Sequence, residues 1–200
     1  MVALPKHEQS IPLLPEPLTY RDWLELPEDD RRFELWNGAI VVSPSPNGRH
    51  QRIQARVGYH LMSAVLQQPN ADLFYEYDVQ LSEYTVVRPD IVIFTGAAGG
   101  KFTEQAIVGP PDLVVEIVSP SSRSRDFIQK TALYADAGVP EYWVIDPDAK
   151  QLIIGRLRDG TYEREIVMEG PVACPALGGA MIDISSIAIA EELEDDDDGR

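Results

Sequence analysis

One cysteine, three histidines, no basic excess and no long apolar run set the first limits on this 200-residue chain. The lone Cys174 excludes an internal disulfide framework and a cysteine-held zinc cluster alike. His7, His50 and His60 are too scattered for a histidine-rich metal site, so any metal here would be held mainly by carboxylates. No stretch approaches the ~18 apolar residues of a spanning helix, and the N-terminus "MVALPKHEQSIPLLPEP" lacks the apolar core and small-residue cleavage site of a secretory signal. A cytoplasmic protein is expected.

Positive charge is also scarce, with 17 Lys and Arg against 33 Asp and Glu and a net charge of −16. The tail "EELEDDDDGR", seven acids and one arginine, accounts for −6 of it, so the body is acidic as well. That balance weighs against a nucleic-acid binder, whose phosphate contacts rest on a basic footprint. Two short strips offset it locally, Arg123, Arg125 and Lys130 in one and Arg49, Arg52 and Arg56 in the other. With 44% hydrophobic residues the chain suits one globular domain.

The proline-rich residues 1–17 read as an irregular arm, 18–193 as the folded domain, and 194–200 as an acidic disordered tail. Thr19 with Asp22 three residues on predicts a capped short helix through "YRDWLEL". Asn37-Gly38 between two apolar runs predicts a hairpin with strands over 33–36 and 39–43. Ile53, Val57, Leu61 and Val65 recur every four residues and mark the longest helix. "LFYEYDVQLS", "VVRPDIVIF" and "DLVVEIVS" each read as a strand. Ser122 or Ser124 would cap the helix "RDFIQKTALYADAG", ending at Gly138, and the strand "EYWVID" follows. "QLIIGRL", Asp159-Gly160 and "TYEREIVM" make a closing hairpin, with "MIDISSIAIA" a last element of undetermined type. The expected class is α/β or α+β, a mixed central sheet flanked by helices.

Glu116 stands out inside "LVVEIV". Alternation places Asp112, Val114, Glu116 and Val118 on one face, so an acid lies among valines and needs a cation, a proton or a metal. If the strand opened by Pro89-Asp90 pairs with that of Glu116, their carboxylates converge at one sheet edge. Joined by Glu34 and a backbone carbonyl, they are what a magnesium ion takes while keeping several waters. Lys130 sits in the helix after Glu116's strand.

From "RRFELWNGAIVVSPSPNGRHQRI" through "RPDIVIF" and "PPDLVVEIVSPSSRSRDFIQKTALYADAGVPEYWVIDP" to the "DGTYE" hairpin, the chain resembles the PD-(D/E)XK nuclease superfamily, and within it the Uma-type family of bacterial endonucleases. The resemblance implies the restriction-endonuclease-like fold, a Mg²⁺ or Mn²⁺ cofactor, hydrolysis of phosphodiesters in DNA rather than RNA, and a homodimer. Asp90 then looks like the metal-binding Asp, Glu116 like the acid of the half-motif and Glu34 like the additional acid. Val118 stands where the superfamily carries its lysine, and Lys130 looks like a migrated replacement.

Each assignment has a plainer counterpart. Asp90 also suits a turn after proline, Glu34 a solvent-facing strand position, and Lys130 an exposed helix pair with Asp126. His50 suits a cap or helix face, Tyr134, Tyr142 and Trp143 suit packing, and Arg123 and Arg125 suit solvated charge. The alternative function is a non-catalytic domain of the same fold that binds proteins or regulates them.

Overall fold

The computed structural model describes residues 16–26, 32–43, 46–118 and 126–185. The arm before Glu16, the tail and the Ser122 and Ser124 caps lie outside those residues. Thr19 caps α1 (Tyr20–Leu24) as expected, the Asp22 carboxylate accepting from the Thr19 amide at 2.8 Å while the Thr19 hydroxyl accepts from the Asp22 amide. β1 (Arg32–Trp36) and β2 (Ala39–Ser43) form the predicted hairpin, with φ of 49° at Asn37 and 81° at Gly38. Gly38 is also required for space, because a Cβ there would stand 2.4 Å from Pro17 Cβ.

The longest helix, α2 (Gly48–Val65), is capped by the Asn47 side chain, which accepts from the His50 amide at 2.9 Å. Its stripe Ile53, Val57, Leu61 and Val65 is buried. Gly58 lets Tyr75 pack against the helix, since a Cβ would fall 2.0 Å from the phenol oxygen.

Two expected strands are each divided in two. "LFYEYDVQLS" becomes β3 (Asp72–Tyr75) and β4 (Val79–Ser82), broken at Glu76 with its φ of 49°. "VVRPDIVIF" becomes β5 (Thr85–Val87) and β6 (Ile91–Phe94), broken at Pro89, which has no N–H for a ladder. The chain crosses between two sheets at each break. The short β7 (Lys101–Phe102) and β8 (Ile107–Val108) follow, then β9 (Leu113–Ile117). A π-helical turn (Asp126–Lys130) leads into α3 (Thr131–Asp136), then β10 (Glu141–Asp146), the hairpin of β11 (Gln151–Arg158) and β12 (Thr161–Val167), and the pair β13 (Pro171–Cys174) and β14 (Ala180–Asp183).

One six-stranded sheet runs β2-β1-β5-β4-β8-β7 and the other β12-β11-β10-β9-β6-β3. Both are mixed, through the parallel pairs β4 with β8 and β9 with β10. The expected α+β class with mixed sheets holds, and the single central sheet is replaced by two. β9 is buried on both faces. Leu113, Val115 and Ile117 join the core under α2, whereas Val114 and Val118 join a second core with Val92, Tyr134, Tyr142 and Val144. Glu116 alternates with that second set. Among the described residues no helix is long and apolar enough to cross a membrane.

Candidate active site

The β6–β9 register brings the acids together. Ile91 lies opposite Val115, so one step outward Asp90 falls beside Glu116, and directly opposed residues of an antiparallel pair share a face. Asp90 is anchored by its own backbone, its carbonyl accepting from the Glu76 amide at 3.2 Å and from Gln54 Nε2 at 2.8 Å. Its Oδ2 accepts from the Ile117 amide at 2.7 Å. Around Oδ1 stand Arg32 and His50 Nε2, each at 3.2 Å. Burial pushes this carboxyl up, but the His50 ring, the Arg32 guanidinium and the Ile117 amide together hold it below the ordinary Asp value.

Glu116 is 6% exposed, and its Oε1 accepts from Lys130 Nζ at 2.8 Å and from the Tyr134 hydroxyl at 2.7 Å. Lys130 ends the π-helical turn and Tyr134 lies four residues on, so both reach Oε1 from one helix face. Such turns recur where a side chain must be aimed out of helical register. Among the described residues no donor is bonded to Glu116 Oε2. Burial, opposed by Lys130 and reinforced by Asp90 and Glu34, pushes the Glu116 carboxyl up to about 7. Desolvation works against charge on Lys130, yet Glu116 and Glu34 outweigh it and lift the ammonium above its ordinary value. Burial and then Glu116 and Glu34 raise the Tyr134 hydroxyl well above its ordinary value, which keeps it a neutral donor.

Glu34 is also buried, and it arrives from the other sheet. Its Oε1 accepts from Lys130 at 3.1 Å and from the Arg88 amide at 2.8 Å, and its Oε2 from Trp36 Nε1 at 3.0 Å. Lys130 therefore bridges Glu34 and Glu116 at 4% exposure, so it is not the exposed helix residue of the plainer reading. The Arg88–Asp90 segment is a hub. The Arg88 guanidinium grips Asp78 with two bonds of 2.6 and 2.9 Å, its amide binds Glu34, and its carbonyl accepts from Arg32.

All four residues singled out in the sequence thus meet at one place where the two sheets face each other. Arg32, His50, Gln54 and Tyr134 are the neighbours that the sequence reasoning did not assign to it. A signal existed for three of them. Arg32 shares the strand face of Glu34 by the two-residue period, and His50 and Gln54 are polar residues beside a helical apolar stripe, spaced i, i+4. Tyr134 and Tyr142 do pack, with ring centroids 4.9 Å apart. The basic strip on α2 is partly neutralised, since Arg49 pairs with Asp148 at 2.7 Å. Arg123 and Arg125 lie outside the described residues.

The donor set suits a hard divalent ion. Asp90 Oδ1 and Glu116 Oε2 are carboxylate oxygens from adjacent strands, and Mg²⁺ commonly takes one or two carboxylates and keeps waters for the rest. Among the described residues no group of three or more His, Cys, Asp and Glu side chains is arranged to hold an ion. Glu34 gives both its oxygens to protein donors, so two carboxylates and water are the composition that fits.

An α+β domain of mixed sheets with buried acids and a lysine at one strand edge is the restriction-endonuclease-like fold. Residues 19–184 match the Uma2 family, described as "Putative restriction endonuclease", and the chain belongs to that family. Membership supports nuclease activity. Among solved structures, the chain is similar to one described as a putative nuclease belonging to DUF820 from Anabaena variabilis, with a TM-score of 0.72 and 24% identity over 87% of this chain and 99% of that one. Nothing among curated proteins matches.

Proposed function

We propose that the protein is a divalent-metal-dependent endonuclease that hydrolyses phosphodiester bonds, in DNA rather than RNA. The observation that carries this is the triad itself: Asp90 opposite Glu116 across β6 and β9, with the Lys130 ammonium on Glu116. Asp90 and Glu116 would hold the ion. Bound there, Mg²⁺ or Mn²⁺ supplies Lewis-acid activation of water and neutralises charge growing on the phosphate.

The chain's own groups do the rest. Lys130, held by Glu34 and Glu116, keeps an ammonium fixed beside the two metal-binding acids, where it orients the attacking water or stabilises the developing charge. Glu34 positions Lys130, and Tyr134 fixes Glu116 Oε1 so that Oε2 is the oxygen left for the ion. Lys130 is thus recruited from the helix because Val118, where the superfamily lysine stands, belongs to the core. A homodimer, one copy per strand, suits cleavage of duplex DNA.

The test is cleavage of supercoiled plasmid, single-stranded DNA and RNA in millimolar Mg²⁺ or Mn²⁺, with a chelator control. DNA cleavage that the chelator stops is expected. Failure to cut any of the three favours the non-catalytic binding domain, to which the net charge of −16 also points.

A further inference from the structure

Arg32 has no task in the hydrolysis described above, yet it is one of the most constrained cations in the site. It is largely buried, with a side chain 13% exposed. One guanidinium nitrogen is 3.2 Å from Asp90 Oδ1, the other donates to the Arg88 carbonyl, and its buried Nε has no partner among the described residues. Desolvation opposes its charge, but Asp90, Glu116 and Glu34 outweigh that, so it feels all three acids.

Its place conflicts with metal binding at Asp90. Oδ2 already accepts from the Ile117 amide, and an ion that takes Oδ1 meets the Arg32 guanidinium and the His50 ring that stand there. A dication and a guanidinium repel each other at that distance, so the ion weakens the hold of Arg32 on Oδ1. The bond to the Arg88 carbonyl does not depend on the Asp90 carboxylate, so a displaced guanidinium stays tethered beside the site. Charge points the same way. Among these five side chains, the ionised carboxylates of Glu34, Asp90 and Glu116 exceed the cations Lys130 and Arg32 by one charge, and a dication converts that excess to one positive. A phosphodiester carries a single negative charge, and guanidinium is the side chain best shaped to bind it.

Resting on the nuclease reading, we propose that Arg32 is an exchanging counterion: it holds Asp90 in the metal-free site and, once a divalent ion takes Asp90 Oδ1, turns its guanidinium to a phosphate of the bound DNA strand. Metal loading thereby switches a site that repels nucleic acid into one that binds it. In an acidic chain this couples DNA affinity to the ion.

The experiment compares the parent protein, Arg32→Met and Arg32→Lys. Mn²⁺ is titrated by calorimetry without nucleic acid, and a labelled DNA duplex is titrated by anisotropy in Ca²⁺ at several salt concentrations, with thermal unfolding recorded for each variant. Arg32→Met should bind Mn²⁺ as tightly as the parent or several-fold tighter. Its DNA affinity should fall about tenfold, and the slope of log affinity against log salt should drop by about one. Arg32→Lys should restore the slope without the full affinity. Unchanged DNA affinity and slope in Arg32→Met, while the parent binds both ligands, overturns the inference alone. Weaker Mn²⁺ binding together with a lower unfolding temperature also overturns it and leaves Arg32 a structural counterion. A parent protein that takes up neither Mn²⁺ nor DNA sinks the nuclease reading, and the inference with it.

Discussion

Glu116→Gln, measured without metal, isolates what the buried acid costs the fold. Gln keeps the shape, and its carbonyl can still accept from Lys130 and Tyr134, while Lys130 retains Glu34. In the native protein the Glu116 carboxyl rises from 4.5 to about 7. The folded state therefore binds this proton more tightly than the unfolded state does. The stability that Glu116 contributes is fully present below pH 4.5 and is lost as pH rises through 7. At about 1.4 kcal/mol per pH unit, that window corresponds to about 3 kcal/mol. Urea denaturation in a chelating buffer, from about pH 4 to about pH 8, should show the parent losing about that much relative to Glu116→Gln, with unchanged denaturant slope. A pH-independent difference refutes the reasoning, because it means that Lys130 fully compensates the burial, and a parent that gains as pH rises refutes it further, because Lys130 then more than compensates.

Lys130→Met withdraws one ammonium from two buried carboxylates and should cost about 3–5 kcal/mol in the same assay; a cost under about 1 kcal/mol contradicts the bridging role. Gly58→Ala sets a methyl against the Tyr75 ring and should destabilise by about 1–3 kcal/mol, less in a Tyr75→Ala background; equal losses in both backgrounds would deny the contact. The Asp112 carboxylate accepts from the amides of Thr95, Gly96 and Ala98 at 2.5, 3.1 and 2.8 Å, so Asp112→Ala should cost about 2–4 kcal/mol and speed hydrogen exchange across 95–98.

Where local chemistry alone decides, the sequence was readable. Thr19 with Asp22 and Asn37-Gly38 bring their own hydrogen bonds or dihedral preferences, and both stand as expected. The four-residue apolar period fixed α2 because one face must be buried. Reading failed where a β-rich run changes sheets. Nothing in the composition of "LFYEYDVQLS" sets Tyr75 apart from Val79, although Glu76 between them adopts a positive φ and the two strands join different sheets. The same holds across Arg88 and Pro89, where proline was the visible hint.

The site divides in a similar way. Glu116 was conspicuous because an acid in a valine run has few harmless explanations, and its partner was found in the next helix. Glu34 and Lys130 are 96 residues apart and belong to different layers, so their contact depends on how the sheets face each other. Arg32 and His50 look like ordinary surface residues until β6 carries Asp90 between them.

One ion shared by Asp90 and Glu116 is the central requirement of the site, and a calorimetric titration of Mn²⁺ into the parent protein, Asp90→Asn and Glu116→Gln tests it most directly. One ion should bind per parent chain, and each substitution should abolish or strongly weaken that binding while the variants stay folded. No binding by the parent, or parent-like binding by either variant, contradicts it.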